Sequence, residues 1–278
     1  MKKLDLKNRT VVMTGASGGI GGETAVAFAR RGARLVLSGR NREALEKVAA
    51  RVRAAGAEAQ VVPADVTSRE AMEMLAAKAI ETFGGLDVMM LAAGYGLLGA
   101  IENVTLEMWR RQMDVNFWGV LHGFYAALPH FLKQGAGQFI IMNSLSGRMA
   151  MGLCAPYSAS KFALWGFTDC VRSELAAKNI GLLSVYPYFV KTAFQANIQS
   201  PDYQVPPELS DKLFGQSPEK LAEQIVRACE RRKGEILCTA LGTLGTRFIP
   251  LSYNLSEWVR RLLLPLTRRM LEAKSNKS

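Results

Sequence analysis

Long apolar runs are missing from this chain of 278 residues. None reaches the roughly 18 residues that a membrane-spanning helix needs, and Met1-Lys2-Lys3 leads into Asp5 and Lys7 rather than into the apolar stretch of a signal peptide. A cytoplasmic protein is expected. Cysteine and histidine are scarce. Cys154, Cys170, Cys229 and Cys238 include no Cys-x-x-Cys pair, and His122 and His130 stand far from three of the four. No zinc site of ordinary spacing is expected, and free thiols suit a reducing compartment. Acidic residues are outnumbered, 24 against 35 Lys and Arg, so the net charge is +11. That balance brings nucleic acid, an anionic membrane or a phosphorylated ligand into consideration. No compact basic motif with interleaved aromatics accompanies the excess, so nucleic acid is not expected as a partner.

What is present is globular composition, 49% apolar and 21% charged, in a chain long enough to bury a core without a disulfide or metal staple. Short aliphatic runs at 10–13, 34–37, 59–62, 88–91, 139–142 and 182–185 read as buried strands. They alternate with stretches of helical periodicity near 19–31, 41–55, 68–83, 105–133 and 157–178. Strands apolar on both faces belong in a parallel sheet covered by helices on each side, so the fold class is α/β, a doubly wound parallel sheet. Thr67 with Glu70 reads as a capping box, and Ser217-Pro218-Glu219 as a helix start running to about Arg232, with a last strand near Gly234–Cys238. Periodicity fails between Val190 and Gln216, where Pro201, Pro206 and Pro207 mark an irregular segment expected to act as a mobile lid carrying Phe189, Phe194 and Tyr203. Residues 1–241 read as one domain and 242–278 as a basic extension.

Thr14-Gly15-Ala16-Ser17-Gly18-Gly19-Ile20-Gly21 follows the first strand and opens a helix. Glycines there let backbone N–H groups approach a pyrophosphate, and the helix N-terminus adds partial positive charge; a merely tight turn is the plain alternative. Ser38-Gly39-Arg40-Asn41 closes the second strand without the acid that would bind a ribose 2′-hydroxyl. Arg40 instead offers a planar fork to a 2′-phosphate, unless it is only a solvated first-turn residue, so NADP(H) is expected rather than NAD. Tyr157 and Lys161, four residues apart at a helix start, present a phenol and an ammonium on one face, and a neighbouring cation lowers a tyrosine pKa. Ser144 stands at the C-terminal end of a strand, the edge where such sheets bind ligands.

Together these residues resemble the short-chain dehydrogenase/reductase family, over about residues 8–240. The family's Thr-Gly-x-x-x-Gly-x-Gly turn matches Thr14 to Gly21, its Tyr-x-x-x-Lys pair matches Tyr157 and Lys161, and its serine thirteen residues before the tyrosine falls on Ser144, not Ser146. Its helix asparagine matches Asn116, and its adenine-contacting Asp-Val pair matches Asp65-Val66. The resemblance implies a Rossmann fold that binds the cofactor through Gly15, Ser17, Gly18, Gly19, Ile20, Gly21, Arg40, Asp65, Val66, Ala93, Gly94, Pro187, Val190 and Thr192, besides Tyr157 and Lys161. It also implies that Tyr157 protonates a carbonyl oxygen, Ser144 orients it, Lys161 holds the nicotinamide ribose, and Asn116 fixes a relay water. Two departures stand out: Leu91-Ala92-Ala93-Gly94 replaces Asn-Asn-Ala-Gly, and Pro187-Tyr188 replaces Pro-Gly and narrows the nicotinamide pocket.

The resulting expectation is an NADP(H)-dependent oxidoreductase that interconverts a carbonyl and an alcohol on a small apolar substrate, acting as a reductase. The rival is a non-catalytic NADP(H) sensor on the same fold, which would commonly lose the tyrosine or lysine that this chain keeps. Tyr95, Leu97, Leu98, Met149, Met151, Leu153 and Cys154 are expected to make the substrate site apolar. His122 is expected to pack or face solvent. A homo-oligomer is expected. In the extension, Leu255, Trp258, Val259, Leu262, Leu263, Leu266 and Met270 recur at helical spacing, with Pro265 as a kink and arginines on other faces. Two readings of that amphipathic helix stay open: a peripheral membrane contact, or docking on this chain's own core or a partner subunit.

Overall fold

Strands that are apolar on both faces must be covered on both, and the computed structural model shows how; it describes residues 2–192, 194, 197–203, 215–238 and 265. Seven strands are described: β1 Thr10–Thr14, β2 Arg34–Leu37, β3 Ala59–Val61, β4 Val88–Leu91, β5 Gly137–Met142, β6 Ile180–Tyr186 and β7 Glu235–Leu237. They form one parallel sheet in the order β3-β2-β1-β4-β5-β6-β7. Successive side chains on a strand serve opposite faces. Val11 and Met13 accordingly join Phe28, Leu45 and Ile225 in one core, while Val12 joins Met72, Phe124 and Phe139 in the other. The first core lies under α1 Gly19–Ala29, α2 Arg42–Ala54 and, from the C-terminal part of the chain, Pro218–Glu230. The second lies under α3 Arg69–Phe83, α5 Gly119–Gln134 and α6 Ala155–Ala176. Numbered in chain order, α4 is Leu106–Met113 and α7 is Pro218–Glu230.

Chain order reverses between β1 and β4, and the C-terminal strand ends on either side of that point are where a doubly wound sheet opens a crevice. Register carries past the strands themselves. Asn143 N donates to Val185 O (2.8 Å) and Leu145 N to Pro187 O (3.2 Å), so the turn after β5 and the turn after β6 are held side by side at the crevice.

Three expectations are refined. The span read as one helix over 105–133 is α4 and α5 joined by a π-helical turn, Asp114–Trp118, which turns Asn116 into the interior. The cap of α3 is Ser68, not Thr67. Ser68 Oγ accepts from Ala71 N (3.1 Å), whereas Thr67 gives both its N–H and its hydroxyl to Asp65. His122 packs, with Nδ1 2.9 Å from Val66 O.

The expected lid is tied down where it is described. Its two ends pair, Lys191 N to Gln216 O (3.0 Å) and Gln216 N to Phe189 O (2.9 Å). Its middle docks on the segment after β4 through Gln199 N to Gly96 O (2.9 Å) and Leu98 N to Gln199 O (3.0 Å). The Asp202 carboxylate then takes Ala100 N (2.6 Å) and Asn103 Nδ2 (2.5 Å). Residues 204–214 of the lid, and the whole extension apart from Pro265, lie outside the described residues. Among the described residues no helix is long and apolar enough to cross a membrane.

Candidate active site

A cleft of about 530 Å³ opens at the reversal point. Its floor is the turn between β1 and α1. Gly15 has φ +66°, and a Cβ there would lie 2.7 Å from the Ala93 backbone nitrogen, so the turn passes the end of β4 closer than any side chain allows. A Cβ on Gly21 would meet Gly15 O at 2.2 Å. Thr14 Oγ1 accepts from Ala92 N (3.2 Å) and Ala93 N (3.4 Å) and joins the β1 and β4 ends. Helix α1 starts at Gly19 with no side-chain cap, and Gly18, Gly19, Ile20 and Gly21 line the cleft, so the start of the helix presents uncapped backbone N–H groups on its anion-favouring end.

At the other end of the cleft, Ser144, Tyr157 and Lys161 come together. Ser144 is the first residue beyond the turn of Asn143, whose Oδ1 accepts Ser144 N (2.9 Å). Ser144 Oγ accepts Ser146 N (3.1 Å), which leaves the serine proton free to point elsewhere. Lys161 is 4% exposed, and its Nζ donates to Met142 O (2.9 Å) at the end of β5. Burial lowers its pKa to about 8. Burial also pushes the Tyr157 phenol up to about 12, with a hydrogen bond from the Ser144 hydroxyl opposing the rise. The expected depression of the phenol by Lys161 is therefore not what the structure has. The ammonium is occupied by a carbonyl, 5.9 Å from the centre of the Tyr157 ring, and desolvation of the phenol prevails.

Asn116 is not brought to the cleft. It is fully buried, and its amide grips the Tyr95 backbone through Tyr95 N to Oδ1 (3.1 Å) and Nδ2 to Tyr95 O (2.9 Å). The remaining expected residues do line it. Arg40 stands beside Ser17 and Gly39 at the end of β2; Asp65, Val66, Ala93 and Gly94 form the next stretch, and Pro187, Val190 and Thr192 the far wall. Asp65 is lowered first by the Thr67 hydrogen bonds, with Arg40 and Arg111 adding to the effect.

Of the residues expected to make the substrate wall apolar, Tyr95 lines the cleft. Leu97 and Cys154 are buried instead, and Leu98, Met149, Met151 and Leu153 are not in the wall either. Of the lid aromatics Phe194 lines it, 6.4 Å from the Tyr157 ring, while Phe189 packs edge-on against Tyr188 and Tyr203 stays outside. Tyr188 lines the cleft beside Pro187. Arg111, Asn143, Asn197 and Gln199 line the cleft without any local sequence signal, because tertiary placement alone brings them there.

The family model for short chain dehydrogenase matches residues 9–202. The chain is a short-chain dehydrogenase/reductase. It is 33% identical over 230 residues to the uncharacterized oxidoreductase Lin0452 of Listeria innocua, covering 82% of this chain and 93% of that one. It is 29% identical over 281 residues to the mouse dehydrogenase/reductase SDR family member 7B, covering 99% and 84%. A short-chain type dehydrogenase/reductase from Mycobacterium marinum superposes with a TM-score of 0.74 at 28% identity, over 83% of this chain and 93% of that one. One from Burkholderia phymatum, solved in complex with NAD, gives 0.80 at 24% identity over 91% and 96%, a likeness of fold. As an oxidoreductase of this family, the chain has a fold that implies a nicotinamide cofactor, and the cleft fits one. The fit lies in a side-chain-free cradle at Gly15 to Gly21, an uncapped helix start, and continuous walls from Arg40 to Tyr157.

Proposed function

We propose that this short-chain dehydrogenase/reductase is an NADP(H)-dependent reductase that converts the carbonyl of a small apolar substrate to an alcohol. The observation that carries the reading is the meeting of Ser144, Tyr157 and Lys161 in one corner of the cleft that begins at the glycine turn. Preference for the 2′-phosphorylated cofactor rests on Arg40, which lines the cleft next to Ser17 while no carboxylate occupies positions 38–41. In this the chain would differ from the NAD-bound Burkholderia protein. Gly18 and Gly19 would receive the pyrophosphate, and Thr192, whose Cγ2 lies 2.6 Å from where a Gly19 Cβ would stand, would approach the nicotinamide end.

When bound, the nicotinamide supplies a hydride to the substrate carbon. Ser144 donates its hydroxyl proton as a hydrogen bond to the carbonyl oxygen and orients it. Tyr157 keeps its proton at neutral pH because burial holds its pKa near 12, and Oη delivers that proton as negative charge develops on the oxygen. The Lys161 ammonium, fixed on Met142 O, keeps positive charge in the corner and steadies the phenolate that remains. Tyr188 and Phe194 give the substrate side an aromatic wall. The test is NADPH oxidation against a panel of ketones and aldehydes, followed at the reduced-nicotinamide absorbance. Turnover of at least one apolar carbonyl with NADPH preferred over NADH is expected. Tight NADPH binding with no turnover across the panel would point instead to a cofactor sensor.

A further inference from the structure

The geometry points to Arg111 as a residue that holds the adenine end of the cofactor, its guanidinium laid over the base, in a role separate from that of Arg40. The inference rests on the reading of the cleft as a nicotinamide dinucleotide site. Arg111 stands in the last turn of α4, four residues before Val115, and both line the cleft with Val66 and Ala93. Those three residues make a small apolar floor of the kind a flat base can lie on. Arg111 is exposed, and among the described residues no hydrogen bond or ion pair engages its guanidinium. Its charge nonetheless reaches the slot: it adds to the lowering of Asp65 and opposes the burial that raises Tyr95. Arg40 occupies a different place, beside Ser17 and Gly39 at the end of β2, where a 2′-phosphate belongs. A planar, weakly hydrated cation that forms no ion pair among the described residues and lines the cleft beside an apolar stretch is suited to cover the face of a purine.

Calorimetric titration of the full chain separates the roles. Arg111→Ala should weaken NADPH, NADH and 2′,5′-ADP by one common factor, about three- to tenfold, the range of a stacked cation. It should leave reduced nicotinamide mononucleotide, which has no adenine, unchanged. Arg111→Lys, which keeps the charge and loses the plane, should fall between. Arg40→Ala should weaken NADPH and 2′,5′-ADP and spare NADH. A loss in Arg111→Ala confined to the two ligands with a 2′-phosphate would overturn the adenine assignment, and so would no loss at all. Failure of the unmutated protein to bind any of these nucleotides would bring down the reading of the cleft itself, and the inference with it.

Discussion

A phenol and an ammonium share the inner corner of the cleft, and burial penalises the charged form of each, so it moves them in opposite directions on the pH scale. Tyr157 goes up to about 12 and stays protonated, while Lys161 comes down to about 8. Reduction needs the proton on Oη and the positive charge on Nζ. With NADPH saturating, kcat/KM for carbonyl reduction should therefore be flat near neutrality and fall with one ionisation as pH rises through about 8, where Lys161 loses its proton. A profile that stays level well above pH 8 would detach Lys161 from the rate. Tyr157→Phe removes only the donated proton, so kcat should drop on the order of 10²- to 10⁴-fold while the NADPH dissociation constant holds. Ser144→Ala should cost much of the activity and Ser146→Ala little, since Ser144 lines the cleft and Ser146 does not. Cofactor choice is also a residue-scale matter. A Cβ on Gly39 would lie 3.2 Å from Ser17 Oγ, a hydroxyl that can rotate away, so an acid can be introduced there. Gly39→Asp with Arg40→Ala should move the ratio of kcat/KM values from NADPH toward NADH by about tenfold or more, the worth of about 1.5–3 kcal/mol for a charged hydrogen-bonded contact.

Between residues and molecule stands the pairing of the segment after β6 with the segment after β4. The Asp202 carboxylate takes two donors from the stretch after β4, and with the Gln199 pairing it fastens the segment after β6 to Gly96–Asn103. Asp202→Ala should release that fastening. Limited proteolysis should then cut between 190 and 216 several-fold faster than in the unmutated protein, with little change in midpoint of thermal unfolding, because Val190 alone among the segment's described residues belongs to either core. An unchanged cutting rate would show that the backbone pairing alone suffices. How legible such features were in the chain depends on whether their cause is local. The buried strands stood out because aliphatic runs on two-faced strands have no other reading, and the glycine turn and the Tyr157–Lys161 spacing carry their chemistry within a few residues. The cap of α3 was misplaced by one residue because Thr67 and Ser68 are both hydroxyl residues, and only the claim of Asp65 on Thr67 decides between them. The π turn at Asp114–Trp118 is a one-residue change of pitch that composition does not mark, so the burial of Asn116 away from the cleft was invisible. Arg111 reaches the cleft from α4, and Asn197 and Gln199 reach it from the segment after β6, a meeting that no spacing records.

On the scale of the whole molecule, charge is unevenly placed. After Leu241 the chain carries seven lysines and arginines against Glu257 and Glu272, beside an apolar series from Leu255 to Met270 at helical spacing that includes Trp258. Among the described residues the cofactor cleft is lined by none later than Gln199, and the last described strand ends at Leu237. Removal of residues 242–278 should therefore leave NADPH affinity unchanged. The two readings of the extension part company on vesicles. If it is an interfacial helix, the full chain should co-sediment with anionic vesicles at low salt and release at high salt, and the chain ending at Leu241 should stay in the supernatant. Each basic residue near an anionic surface contributes about 1 kcal/mol, so replacing Arg260 and Arg261 together by alanine should weaken vesicle binding by about thirtyfold. Neutral vesicles should bind far less of the full chain, because the apolar series would then act without the charge attraction. Absence of co-sedimentation at low salt would assign the apolar series to protein docking. The removal of 242–278 would then show itself as a lower thermal midpoint or a change of oligomeric state instead.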